Sequence, residues 1–169
     1  MNLIRTRTWV CVLLLALNAA AVGMVVSAAA VPLQWSVMTD AFGTQVDYPS
    51  GIFTTEQGSP PRGTGRVLES AEHEARLMVY VEENEAHHSP ASFVRSNLTT
   101  PTSQIDYRRI TDHFFAVSGE SDGRIFYSRC NFPQGRNGPL HCIFVSYKSS
   151  EKEAWDDIVT RISLSLRPR

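Results

Sequence analysis

Five histidines, His73, His87, His88, His113 and His141, are the first residues to weigh for metal or acid–base chemistry. The densest grouping is Glu82-Glu83-Asn84-Glu85-Ala86-His87-His88, which gathers carboxylates and imidazoles in one short stretch. A closed metal site needs four converging ligands held by a second layer of hydrogen bonds, and neighbouring histidines on a loop do not converge on one ion. The stretch therefore reads as a solvated acidic loop, and no metal or other cofactor is expected. The serines and acids of Ser118-Gly119-Glu120-Ser121-Asp122 read as turn residues that bond their own backbone. Asp156-Asp157 reads as the wet face of a helix, and no nucleophile elbow of the Gly-x-Ser-x-Gly kind, no Ser-x-x-Lys pair and no glycine-rich phosphate loop opening a helix is expected. Asn97-Leu98-Thr99 has the spacing of a glycosylation acceptor, relevant only in a eukaryotic secretory route. Together these residues point away from an enzyme. The alternative is a small exported hydrolase or metal-dependent enzyme that uses His87, His88 or His113 with nearby carboxylates.

The cysteines carry a clearer message once the compartment is read. Arg5 and Arg7 precede an apolar run from Trp9 to Val26 that only Asn18 and Gly23 interrupt, and Ala28-Ala29-Ala30 supplies small residues for cleavage. This is the pattern of a secretory signal peptide over residues 1–30, cut after Ala30 or Ala29, with an uncleaved anchor as the alternative. Cys11 lies inside the apolar run without the small residues that precede a lipidated cysteine. Cleavage leaves residues 31–169 as a single domain and moves the net charge from -1 to -3, because two arginines leave and no acid does. That charge excludes a strongly basic nucleic-acid binder, and the mature chain has no segment for stable membrane insertion. Two cysteines remain, Cys130 and Cys142, an even count in a chain bound for an oxidising compartment. Between them the glycines and prolines of 131–141 demand a turn centred on Arg136, equidistant from both, so an antiparallel hairpin would place the pair opposite one another for a disulfide. His141 could tune a thiolate only if that bond were absent.

Several elements must carry these residues. Thr44 to Tyr48 alternates as a strand, preceded by a segment from Leu33 to Asp40 that lies against the domain. Gln57 to Gly65 reads as a surface loop in which Gly63-Thr64-Gly65 breaks the chain. Gly65 to Ala71 and Arg76 to Glu82 form a hairpin about Glu72-His73-Glu74, and the second strand is apolar on both faces, which calls for layers above and below the sheet. Ser89-Pro90 starts a short helix over 91–98 that buries Phe93, Val94 and Leu98. Gln104 to Ile110, His113 to Ser118, Arg124 to Cys130 and Cys142 to Lys148 are further strands, joined by links too short for parallel crossovers. Ser150 and Glu153 have capping-box spacing ahead of Ala154, Trp155, Ile158, Val159, Ile162 and Leu166, a stripe that must cover a sheet. The fold class is α+β: a mainly antiparallel sheet of six to seven strands, flanked by helices on both faces as an α/β/α sandwich, with one disulfide.

Charge divides along the chain. Glu69 to Glu85 holds six acids against Arg76, whereas Arg108, Arg109, Arg124, Arg129, Arg136 and Lys148 outnumber four acids between Gln104 and Lys148. One edge is expected to be acidic and another basic, with aromatics not interleaved among the arginines as a nucleic-acid stacking platform requires.

Phe42-Gly43 leads into a strand ending Tyr48-Pro49-Ser50 with Phe53 just beyond, then a hairpin, a short helix, antiparallel strands and a last helix. This order resembles the PsbP-like and Mog-type domains. The resemblance spans most of Trp35 to Leu166 and implies a sheet sandwiched by helices in a non-enzymatic interaction module, such as an extrinsic subunit, a GTPase-binding protein or an exported lipoprotein. The Cys130–Cys142 hairpin and the missing lipidated cysteine depart from that pattern, and no functional residue transfers. The expectation is an exported, periplasmic or secreted, non-catalytic domain that binds an unidentified protein or envelope component. The stapled tip, with Phe132, Arg136 and Leu140, is the first candidate contact loop, because a closed loop loses less freedom on binding. A small-ligand carrier with its pocket between the sheet and the Trp155 helix is a further alternative.

Overall fold

The computed structural model describes residues 32–97 and 105–168. The signal segment with Cys11, the buried role expected of Leu98 and most of the glycosylation sequon lie outside the described residues.

Among the described residues nine strands and two α-helices follow in the order β1 (Trp35–Thr39), β2 (Gln45–Pro49), β3 (Phe53–Glu56), β4 (Thr64–Ser70), β5 (Arg76–Glu82), α1 (Pro90–Asn97), β6 (Ile105–Ile110), β7 (Phe114–Ser121), β8 (Arg124–Asn131), β9 (Leu140–Lys148) and α2 (Lys152–Ser165). Seven strands form one antiparallel sheet in the order β3-β4-β5-β9-β8-β7-β6. The segment from Leu33 is more than a flank: β1 pairs with β2 in a separate two-stranded sheet, from Trp35 opposite Pro49 to Thr39 opposite Gln45. β3 has no counterpart in the sequence reading, since Phe53-Thr54-Thr55-Glu56 is short and its register on β4 shifts between Phe53 and Thr55.

Strand alternation divides the core in two. Ile143, Val145 and Tyr147 of β9 cluster with Leu77 and Val79 of β5 and with Trp155, Val159 and Ile162 of α2. On the other face of β9, Leu140 and Cys142 cluster with Phe115, Cys130 and Phe132 and with Phe93 and Val94 of α1. Both faces of β5 are apolar for this reason: Leu77 and Val79 are fully buried on one, while Tyr80 packs against the second cluster on the other. Cys130 and Cys142 are directly opposite in the β8–β9 ladder, form the disulfide with Cα atoms 4.1 Å apart, and are fully buried.

The turns follow local chemistry. At the β7–β8 hairpin Ser121 opposes Arg124, so Asp122 and Gly123 alone turn the chain, with φ of 52° and 71°. Positive φ at both central residues is the two-residue turn whose twist matches flanking strands, and Asp-Gly suits it. Gly65 is needed for close approach rather than as a breaker: a Cβ there would lie 2.0 Å from the Val79 carbonyl oxygen. Ser89 caps α1, its Oγ accepting the Ser92 N–H at 3.2 Å, and Pro90 is the first helical residue. The capping box at α2 does not form. Ser149–Glu151 is a 3-10 turn that continues into the helix, and Glu151 accepts the Trp155 indole N–H at 3.0 Å instead. Ala154 is exposed, because the buried stripe runs through Trp155, Val159 and Ile162. Beyond α2, Arg167 exchanges backbone hydrogen bonds with Gln45 of β2.

Candidate functional site

The stapled hairpin tip does not present the surface expected of it. Phe132 and Leu140 are buried beside the disulfide, Phe132 edge-on to Phe93 and Phe115, so of the three named residues only Arg136 is exposed. An alternating strand that enters a core cannot offer its apolar residues outward as well. The residue that organises the tip is Asn84, passed over as part of an acidic loop. Buried at 7% exposure, its amide donates to the carbonyls of His88 and Arg136, both at 3.0 Å, and accepts the His88 N–H at 2.9 Å.

Through the His88 backbone Asn84 also fixes the His87-His88 segment. His87 is exposed with φ of 49° and faces the Arg136 carbonyl, while His88 meets the edge of Phe93. His113 is exposed, and its N–H bonds Thr111 Oγ1 in the β6–β7 turn. Among the described residues no three His, Cys, Asp or Glu side chains are grouped to hold a metal ion. His73 and Arg76 both bond Glu69 at the β4–β5 turn, holding that carboxyl below the usual range. His141 is on the opposite face of β9 from the disulfide, buried, with Nδ1 2.8 Å from Thr44 Oγ1. Burial pushes its imidazole below the ordinary histidine value, and the Asp40 carboxylate opposes that shift.

Two serine spacings escape a reading made from turn residues alone. Gly119-Glu120-Ser121-Asp122-Gly123 matches Gly-x-Ser-x-Gly, but it forms a strand–turn–strand hairpin rather than the strand–turn–helix elbow that exposes a nucleophile, and Ser121 Oγ bonds only Asp122. Ser149 and Lys152 have Ser-x-x-Lys spacing, yet Ser149 Oγ donates to the Gly123 carbonyl and Lys152 Nζ binds Asp156.

The principal concavity, about 490 Å³, lies between α2 and the β6–β8 end of the sheet. α2 packs on β2, β9 and the near side of β8, which leaves the same face of β7 and β6 partly uncovered. The strand registers lay out the floor in rows. Arg109, Ala116 and Arg129 are directly opposite one another across β6, β7 and β8, and the next row is Tyr107, Ser118 and Tyr127. Small residues on β7 between long ones on both neighbours make a channel along β7. Phe114 closes one end beneath both arginines, whose guanidinium carbons stand 5.4 Å (Arg109) and 4.6 Å (Arg129) from its ring centre. The aromatics therefore do interleave with the arginines, across strands rather than along the chain. Val159, Thr160 and Ser163 form the roof, with Tyr107 and Leu164 exposed on the rims. Tyr127 donates to or accepts from Ser163 Oγ at 2.6 Å, and burial raises its phenol above the ordinary tyrosine value.

A second concavity of about 340 Å³ lies by α1, where Phe93, Phe115, Phe126 and Phe144 surround Tyr80, whose phenol burial pushes up to about 12. Arg62 spans its mouth to Glu82 and to Asn97.

No protein-family model and no curated protein matches the sequence. Among solved structures the chain is similar to the solution structure of cyanobacterial PsbP (CyanoP) from Synechocystis sp. PCC 6803, with a TM-score of 0.60 at 12% identity over 85% of this chain and 96% of that chain. At that identity the likeness speaks for the fold, and together with the seven-stranded antiparallel sheet and its two apolar clusters it means that the chain has the PsbP-like fold.

Proposed function

We propose that this is an exported, non-catalytic binding module: an α/β/α sandwich with α1 and α2 on opposite faces, delivered to the periplasm or cell exterior by residues 1–30, that serves as an accessory to a protein or envelope component. The observation that carries the reading is the groove over β7. It has the size of a small-molecule site, arginines and hydroxyls aimed into it, and apolar side chains on its rims. The disulfide supports export, because such bonds persist in oxidising compartments. The polar side chains that could do chemistry elsewhere hold structure: Asn84 ties two loops, Glu69 a turn, His141 the Thr44 hydroxyl. Among the described residues no helix is long and apolar enough to cross a membrane.

Intact-mass analysis of the protein recovered from the envelope fraction of its producing cell tests the reading. The expected species begins after Ala29 or Ala30, has its cysteine pair oxidised, and releases a bound component on denaturation. A chain that retains residues 1–30 in the cytosol overturns export. Ester or phosphoester turnover abolished by His113→Ala overturns the non-catalytic assignment in favour of the hydrolase alternative.

A further inference from the structure

The groove over β7 holds cationic charge that the fold itself does not neutralise. The ion pairs among the described residues engage Arg62, Arg66, Arg76, Arg161, Arg167, Lys148 and Lys152, and neither Arg109 nor Arg129 is among them. Arg129 is half-buried and is aimed by neutral acceptors only, its Nε donating to Asn131 Oδ1 at 3.1 Å and its Nη1 to Ser163 Oγ at 3.3 Å. Directly opposite on the other side of Ala116 is Arg109, two strand spacings or about 10 Å away at the backbone. Both guanidinium groups stand against the one Phe114 ring, 5.4 Å (Arg109) and 4.6 Å (Arg129) from its centre, which gathers the two charges at the same end of the groove. Arg109 is exposed and Arg129 partly buried, and a guanidinium without a carboxylate is satisfied best by an oxyanion, whose hydrogen bonds are charge-assisted. Two acids also line the groove, and neither is ion-paired with these arginines: Asp156 is held by Lys152, and Asp106 sits at the β6 bulge beyond Tyr107. From the arginines the floor continues over Ser118 and Tyr127 to Ile125 and Tyr147, a path for an apolar body under Val159.

We propose that this groove, on the reading that it is the module's binding site, takes a small amphiphilic organic anion, its oxyanion head between Arg109 and Arg129 and its apolar body along β7 towards Tyr147.

The oxidised protein is titrated with 8-anilinonaphthalene-1-sulfonate and with N-phenyl-1-naphthylamine, which share an aromatic body and differ in charge. The sulfonate binds about tenfold more tightly or better, and Arg109→Gln/Arg129→Gln abolishes that preference while the amine is unaffected. Dodecanoate and dodecyl phosphate displace the sulfonate and dodecanol does not, and the stronger of the two displacers identifies the head group. Leu164→Glu and Leu164→Lys, at a site 75% exposed and so without consequence for folding, weaken and strengthen sulfonate binding respectively. Equal affinity for the two probes, or a sulfonate affinity indifferent to the charge at position 164, overturns the anion assignment and leaves the binding-module reading standing. Failure of both probes to bind removes the groove itself as the module's site.

Discussion

Reduction of the Cys130–Cys142 disulfide isolates the contribution of one covalent link, because both sulfurs are buried in a cluster that stays in place around them. The link closes a loop of sequence separation 12. On the chain-entropy account, a loop of this length restricts the unfolded chain by about 3 kcal/mol, which for a domain of this size lowers Tm by roughly 10 °C on reduction. Cys130→Ala/Cys142→Ala costs more. It loses the link and also two buried sulfurs among Phe93, Phe115 and Phe132, each vacated volume adding about 1 kcal/mol. The assay is equilibrium urea unfolding followed by tryptophan fluorescence, since Trp155 is stacked on Tyr147 at 4.9 Å in the native state. The expected order of stability is oxidised, then reduced, then double alanine. A reduced protein within about 1 kcal/mol of the oxidised one refutes the argument, and would mean that the unfolded chain already holds its hairpin closed.

Three further outcomes follow from single residues. Asn84→Ala removes the buried amide that bonds the carbonyls of both His88 and Arg136, so stability falls by about 1–3 kcal/mol and hydrogen exchange quickens at 84–88 and 135–137 together, because one amide holds both loops. Trp155→Ala removes the indole that stacks on Tyr147 and abuts Phe53, which costs about 3–5 kcal/mol in the same urea assay. The last concerns pH. His141 has its folded-state value depressed, so the unfolded chain takes up the proton first as pH falls through 6.5, and stability declines from there until the folded value is passed. Glu69, also depressed, extends the decline below 4.5. His141→Gln, which keeps a partner for Thr44, flattens the part of the urea-midpoint profile just below pH 6.5 and leaves the part below 4.5 unchanged.

Those elements whose local and tertiary requirements agree were legible in the sequence. Asp122-Gly123 needs no tertiary help to turn, and Ser89-Pro90 starts a helix by its own bonding. The two-faced apolarity of β5 follows from its central place in a covered sheet. Elements whose form is imposed from elsewhere were not legible. β3 is four residues with a shifted register, and exists as a strand because β4 offers an edge. The start of α2 has a capping box by spacing, yet the Trp155 indole, drawn into the core against Tyr147 and Phe53, claims Glu151 and lets a 3-10 turn run straight into the helix. At the stapled tip Phe132 and Leu140 looked available along the chain for a similar reason, but belong to the cluster around the disulfide, while Arg136 is exposed.

The groove stands between these cases. The β7–β8 turn at Asp122-Gly123 pairs Ser121 with Arg124 and, counted back along both strands, Ala116 with Arg129. Half of the cationic row is therefore fixed once Asp122-Gly123 is known to be the turn. The other half depends on the β6–β7 register, where Thr111 Oγ1 accepts the N–H groups of His113 and Phe114 and the bulge near Asp106 absorbs a residue. Neither feature has a distinctive sequence signature, and a one-residue error there would turn Arg109 to the other face of the sheet. An excess of arginine between Gln104 and Lys148 could thus be counted without being located. Once the register is known, the same arginines divide by face: Arg108 opposes Val117, on the face that packs with α1, and Arg109 opposes Ala116, in the groove. Removing the charge of each neighbour in turn, Arg108→Gln against Arg109→Gln, separates a general basic edge from a specific site, since only the second weakens binding of the anionic probe.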